Sequence, residues 1–242
     1  MIDETLGQAV LQLRMTIDPG FEEEYERWHV QRYIPRMLEL PGFLAARRYT
    51  GLTSATNRGG KATDVDGWVD GHQRWLTLFD LADEGAAAGD AFEEADRAAR
   101  RSGESLQPHV REVTSLFRLV LPEVGSVTRS GLEGEGLNGA FALHVMTDAQ
   151  EGWEDQVDDW YLMEHFPEKL DLSGYLSARR FKRVRVLADA TCEEASRNSS
   201  LAIYELRDEG TLEEQSVPGP LSPIIASHMT WFRTIYRQTY PL

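Results

Sequence analysis

Two stretches decide the fold: FEEEYERWHVQRYIPRMLELPGFLAARRYT at 21–50 and WEDQVDDWYLMEHFPEKLDLSGYLSARRFK at 153–182. Laid over one another at an offset of 132 residues, they agree at ten of 30 positions. Chance gives about two, so the chain contains an internal duplication. The matches fall on residues with structural meaning: Trp28 with Trp160, Pro35 with Pro167, Gly42 with Gly174, and Ala-Arg-Arg at 46–48 with Ala-Arg-Arg at 178–180. Each copy reads as a helix ending near a proline, then a turn, then a strand.

Similar runs flank both copies. Strand-like AVLQLRMT (9–16) and AFALHVMT (140–147) precede them, and WLTLFDLADEG (75–85) and SLAIYELRDEG (200–210) follow. Each copy closes on a β-branched and aromatic segment, SLFRLV (115–120) or TWFRTIY (230–236). Between these lie an Ala-rich, charged helical stretch at 86–112 and a shorter, Pro-interrupted counterpart at 211–229. Each half is therefore strand, helix, strand, strand, helix, strand, the ferredoxin-like βαββαβ order. The predicted organisation is a first repeat over 1–121, a Gly-rich linker over 122–138 and a second repeat over 139–242. A four-stranded sheet with helices on one face leaves the other bare. Two such sheets in one chain bury their bare faces together, which predicts an α+β fold in which the repeats form an intramolecular dimeric α+β barrel.

Composition narrows the partners. Forty Asp and Glu against 25 Lys and Arg give a net charge of −15, which repels a phosphate backbone, so nucleic acid is not expected. No run approaches the roughly 20 apolar residues of a membrane span, so no membrane partner is expected either. A single cysteine, Cys192, and an N-terminus without a basic segment, apolar run and cleavage site suggest a cytoplasmic protein. A small-molecule substrate is expected, and a homodimer is compatible with this reading.

On a helical wheel, Phe21, Tyr25 and Trp28, or Trp153, Val157 and Trp160, form an apolar stripe. Arg32 and Glu164 fall near the middle of that stripe, where a charge needs a partner or a wet cavity unless Pro35 or Pro167 distorts the last turn and swings it to solvent. One residue pair is shared but reversed: His29 and Tyr33 in the first copy, Tyr161 and His165 in the second. Residues four apart share a helix face. Each copy thus offers an imidazole able to shuttle a proton and a phenol able to donate to a developing oxyanion, or else a half-buried packing contact.

His144 alternates with Leu143 and Val145, and if its face lines the barrel it meets His165 in one pocket. Arg47, Arg48, Arg179 and Arg180 sit in strands, so one arginine per copy must turn away from solvent. Arg47 and Arg179 are candidate anchors for a carboxylate or phenolate substrate, and salt bridges are the equal alternative. The loop at 59–73, with Asp64, Asp66, Asp70 and His72, lacks calcium-loop spacing, and His109 and His228 lack metal-ligand spacing. Neither GxGxxG nor GxxxxGK[ST] is present, and no metal and no cofactor is expected.

The string Trp160-Tyr161-x-x-x-His165-x-Pro167 with Gly174-Tyr175-Leu176-Ser177-Ala178-Arg179-Arg180 resembles the EthD-like branch of the dimeric α+β barrel superfamily. Glu164-His165-Phe166-Pro167 matches its Glu-His-x-Pro helix end, and Pro41-Gly42-Phe43 its Pro-Gly turn; Tyr33 and Ser173 depart from the pattern in one copy each. The resemblance implies a cofactor-independent lyase, dehydratase, cyclase or isomerase acting on a small apolar carbonyl or aromatic compound of secondary metabolism. It implies His165 as general acid/base, Tyr161 as hydrogen-bond donor, and Glu164 or Arg179 for orientation, with His29 and Tyr33 as a second, degenerate site. Two alternatives stay open: a haem-binding oxygenase or peroxidase-like protein, since some tandem barrels of this length bind haem through a second-half histidine, and a non-catalytic small-molecule-binding protein.

Overall fold

The computed structural model describes residues 7–56, 73–120, 126–128, 139–189, 198–211 and 223–240. The loop at 59–73 apart from its last residue, Cys192 and most of the linker lie outside them. The first half runs β1 (Ala9–Ile17), α1 (Glu22–Trp28), a π-helical turn (His29–Tyr33), α2 (Ile34–Leu38), β2 (Phe43–Thr56), β3 (Trp75–Leu81), α3 (Asp90–Ser102) and β4 (Val110–Leu119). A short strand, β5 (Ser126–Thr128), falls within the expected linker. The second half runs β6 (Phe141–Ala149), α4 (Glu154–Trp160), a π-helical turn (Tyr161–His165), α5 (Phe166–Leu170), β7 (Tyr175–Asp189), β8 (Ser200–Leu206), α6 (Pro223–Ser227) and β9 (Met229–Tyr240). No helix among the described residues is long and apolar enough to cross a membrane.

Eight antiparallel strands close on themselves in the order β4-β1-β3-β2-β9-β6-β8-β7, with β7 returning to β4 and β5 added on β7. Closure depends on the long strands β2 and β7. Each pairs first with its own repeat, Phe43–Thr50 on β3 and Tyr175–Lys182 on β8, and then crosses to the other repeat's last strand, β9 or β4. The duplicated α+β barrel expected from the repeat is the observed fold.

Strand register also corrects the alignment of the first strands. Ala9 faces Leu81 and Phe141 faces Leu206, so β1 and β6 correspond at 132 residues, the same offset as the helices. The strings 9–16 and 140–147, matched end to end, are one residue out of register. Gln12 is thereby the counterpart of His144. Gly7 and Gly139 correspond too: a Cβ on either would come within 2.0 Å of the backbone carbonyl oxygen of Leu81 or Leu206, so only glycine fits.

The barrel has two buried faces. Inside lie Val10, Tyr49, Leu78, Phe117, Met146, Phe181, Ile203 and Tyr236. Outside, the first helical layer packs Tyr25, Trp28, Tyr33 and Phe92 on Leu11, Leu13 and Phe79, and the second packs Val157, Trp160, Tyr161 and Phe166 on Ala178, Ala202 and Tyr204. Because both faces are covered, the alternation of β2 and β7 leaves none of the four arginines in solvent, where only one per copy had to turn inward: Arg47, Arg48, Arg179 and Arg180 are all buried.

Candidate functional site

Barrel closure first sorts the ionisable residues. Arg47 and Arg179 enter the interior and meet Asp80 and Glu205, counterparts in β3 and β8. Arg47 Nη2 lies 2.6 Å and Arg179 Nη1 2.7 Å from the two Asp80 oxygens. Arg47 Nη1 also donates to Glu205, and Arg179 Nη2 lies 3.9 Å from it. Burial alone would raise the Asp80 carboxyl; Arg47 and Arg179 outweigh it and hold the group below its ordinary value. Beside this quartet Gln12 Nε2 sits 3.3 Å from His144 Nδ1, and Tyr236 packs on the imidazole at 5.2 Å. Burial, then Arg47, Arg179 and Arg14, keep His144 neutral. The barrel wall separates His144 from the helical layers, so it does not share a pocket with His165. Arg47 and Arg179 take the salt-bridge alternative.

The π turns decide what the helices present. Ile34 N–H bonds to His29 O and Phe166 N–H to Tyr161 O, i to i+5, so each turn holds one residue more than an α-turn. Tyr33 and His165 inherit the inward position that a regular wheel assigns to Arg32 and Glu164. Both charged residues are exposed, and Glu164 is turned away from the layer in which it was expected to orient a substrate.

In the first half each member of the reversed pair has a hydrogen-bond partner, and only His29 Nδ1 is left without one. His29 Nε2 lies 2.8 Å from Thr77 Oγ1, and the Tyr33 hydroxyl donates to Asp96 at 2.6 Å. The two rings stack at 4.8 Å. Arg100 braces Asp96 and Glu112 at 2.9 and 2.7 Å and lies 5.4 Å over Tyr33. Arg48 spends its donors on Glu26, Thr77 Oγ1 and Met15 Sδ. Burial, then Arg48 and Arg100, hold His29 well below the usual imidazole range. A cavity of about 490 Å³ opens beside this layer, walled by Phe92, Asp96, Arg100, Gln107, Thr114 and Leu187. The charged groups that reach it from the His29–Tyr33 layer, Asp96 and Arg100, are already paired.

The second half repeats the frame and omits the partners. Arg180 Nε donates to Asp158 at 3.0 Å, as its counterpart Arg48 does to Glu26. Its guanidinium lies 4.0 Å over the Tyr161 ring. Where the first half has Thr77, the second has Ala202. Among the described residues neither Tyr161 nor His165 has a hydrogen-bond partner. His165 instead stacks on Trp160 at 4.4 Å and meets the edges of Tyr161 at 5.5 Å and Tyr204 at 6.1 Å. Burial, then Lys169 and Arg180, push its imidazole down to about 3. Burial also raises the Tyr161 and Tyr204 phenols, which stay protonated. The Tyr204 hydroxyl and Arg180 Nη1 are buried without a hydrogen-bond partner.

The structure therefore brings together Tyr161, His165, Arg180 and Tyr204. It sets Arg47, Arg179 and His144 inside the barrel, and His29 and Tyr33 in the opposite layer. Tyr204 escaped the sequence reading of the site, and Arg180 entered it only as one of the four strand arginines, with Arg179 preferred as the anchor. Comparing β3 with β8 position by position would have flagged two of the differences, Thr77 against Ala202 and Phe79 against Tyr204. Among the described residues no group of three His, Cys, Asp or Glu is placed to hold a metal ion.

No family model matches the chain, and no curated protein matches it. Solved structures do. An anthrone oxidase-like protein superposes with a TM-score of 0.59 at 11% identity, over 98% of this chain and 93% of that one. A monooxygenase-like protein from Fusobacterium nucleatum gives 0.52 at 9% identity, over 96% and 93%. A dye-decolorizing peroxidase from Bacteroides thetaiotaomicron gives 0.52 at 7% identity, over 96% and 93%. At such identities the likeness is one of fold, and that fold is the dimeric α+β barrel.

Proposed function

We propose that this chain is an oxidative enzyme that enolises a small aromatic carbonyl compound in the second helical layer and lets the resulting anion react with molecular oxygen. One observation carries the reading: the same imidazole–phenol pair is hydrogen-bonded to Thr77 and Asp96 in the first half, with His29 Nδ1 alone left over, and has no hydrogen-bond partner among the described residues in the second. Unpaired donors in a buried layer are what a developing oxyanion requires. Tyr161 and His165 donate to the substrate oxygen as charge accumulates there. With its own value near 3, His165 is neutral at physiological pH and acts as a donor, as neutral imidazoles do toward carbonyls, instead of as the general acid/base first expected. Stabilising the anion lowers the pKa of the substrate carbon acid, and water at the half-buried edge of His165 takes the proton.

The lyase, dehydratase, cyclase and isomerase chemistries implied by the EthD-like resemblance begin from the same enolate. The oxidase and monooxygenase names among the fold neighbours favour oxygen as its acceptor. For an anthrone, the ring CH₂ becomes a carbonyl with one O₂ consumed and one water formed. Haem fits less well. A neutral His165 suits ligation, but Trp160, Tyr161, Phe166 and Tyr204 stand in mutual ring contact, and a macrocycle must displace more of them than a tricyclic ketone does. No step here runs through haem.

The test is oxygen uptake with an anthrone and with single-ring phenolic ketones. Uptake is expected, with kcat/KM lowered about 100-fold or more by His165→Gln and by Tyr161→Phe, and little changed by Tyr33→Phe. No uptake with any of them, or loss through Tyr33→Phe alone, would overturn the reading. A Soret band on haemin addition that is lost in His165→Gln would restore the haem alternative.

A further inference from the structure

The charges of the two helical layers do not match. In the first layer Glu26 accepts from Arg48 through Nε at 3.0 Å and Nη2 at 2.9 Å, and Nη1 is taken up by Thr77 and Met15. In the second, the counterpart carboxylate Asp158 is shared between Arg180, at 3.0 Å, and Lys182, at 2.6 Å. The residue corresponding to Lys182 in the first half is Thr50. One carboxylate thus faces two cations, and the layer holds a surplus positive charge.

That surplus has a direction. Arg180 is 1% exposed and its Nη1 has no hydrogen-bond partner. Tyr204, also 1% exposed, stands opposite Ala178, one same-face step along β7 from Arg180, and its hydroxyl has no partner either. A buried guanidinium donor and a buried phenol left unmade are costly, and a charge-assisted bond from both to one anion would satisfy them together. We infer that the substrate of the second half carries a carboxylate or phenolate, gripped by Arg180 Nη1 and the Tyr204 hydroxyl. The inference rests on the second layer being the substrate site. It also moves the anchor from Arg179, which is spent on Asp80 and Glu205, to its neighbour Arg180.

Benzoate and benzamide share size and shape and differ in charge, so their binding to the whole chain, followed by calorimetry under nitrogen, isolates the anchor. Benzoate should bind at least tenfold tighter than benzamide. Tyr204→Phe, which removes one hydroxyl, should reduce that preference three- to tenfold. Arg180→Gln should abolish it, and Arg180→Lys should restore part of it, while Arg48→Gln in the first half should leave it unchanged. If melting curves show that Arg180→Gln does not fold, Tyr204→Phe decides. Equal binding of the two probes, no binding of either at millimolar concentration, or an undiminished preference in Tyr204→Phe overturns the inference. Because no oxygen is present, an anion preference without oxygen uptake in air would overturn the oxidative reading alone. Oxygen uptake without an anion preference would overturn the anchor alone.

Discussion

The two helical layers are built on one plan and differ in what they leave unfinished. Both have a Trp on the helix, a π turn before the proline, an imidazole and a phenol four residues apart, and a strand arginine tied to a helix carboxylate. In the first layer, Thr77, Asp96, Arg100 and Glu112 take up those groups and leave only His29 Nδ1 without a hydrogen bond. In the second, Ala202 stands where Thr77 would be, the Tyr204 hydroxyl and Arg180 Nη1 are buried without partners, and Tyr161 and His165 make no hydrogen bond among the described residues. On the function proposed above, the closed layer stabilises and the open one binds. Duplication allows one chain to do both.

Several measurements can break or sharpen that contrast. The largest effect is expected in the barrel core, where the halves share charge unequally: Asp80 lies within 2.7 Å of both arginines, whereas Glu205 holds Arg47 closely and Arg179 at 3.9 Å. Asp80→Asn should therefore cost about 3–5 kcal/mol in urea unfolding, the usual penalty for breaking a buried pair, and Glu205→Gln less. Equal costs would mean that the quartet is more symmetric than its distances. Next is the activity of the reversed pair. His165→Gln or Tyr161→Phe should reduce kcat/KM by about 2.7–4 kcal/mol in barrier terms, with little change in melting temperature, whereas Tyr33→Phe should lower stability and spare turnover. Thr77→Val, which keeps the shape and deletes the hydroxyl, should destabilise the first layer by about 1–3 kcal/mol by stranding His29 and Arg48. An unchanged melting temperature would show that the closed layer does not need its closure.

Acid should expose the same chemistry more gently. His29, His144 and His165 all have folded values below 6.5, His165 at about 3. A depressed value means that the unfolded chain binds the proton first, so their contribution is complete above pH 6.5 and is lost as pH falls toward the folded values. Each should add about 1.4 kcal/mol per pH unit to the slope of stability against pH below 6.5. His165→Gln should remove one such increment, as followed by urea titrations between pH 6.5 and 4.5. Over the same range kcat/KM should show no limb near 6.5 assignable to His165. Such a limb, lost in His165→Gln, would return the residue to proton transfer.

The architecture was legible because duplication repeats its own signal. Trp28 and Trp160, Pro35 and Pro167, and the paired Ala-Arg-Arg triplets announce two units whose bare sheets must meet. The reversal of His and Tyr was legible too, and so was the need for the strand arginines to find acids. Three things were not. A wheel of 3.6 residues per turn cannot register a π turn, so it seated Arg32 and Glu164 where Tyr33 and His165 belong. Strand strings matched by eye slip by one residue without warning, and a slip of one exchanges the faces of a sheet, which hid the Gln12–His144 contact. The partners of Arg47 and Arg179 lie on β3 and β8, and only closure of the barrel shows that each arginine reaches across to the other repeat's carboxylate.

That crossing has an arithmetic of its own. Each half brings one arginine and one carboxylate to the central quartet, so the quartet balances at two positive and two negative charges, with Arg14 of the first half buried on the same face of the barrel. A self-pair of first halves, with two copies each of Arg47 and Asp80, would balance identically, and so would a self-pair of second halves with Arg179 and Glu205. Electroneutrality of the quartet cannot tell a half from its sibling; the covalent link between them can. Cutting that link would leave the quartet matched in either pairing, and the two Arg14 side chains of a first-half twin would be what tells the pairings apart.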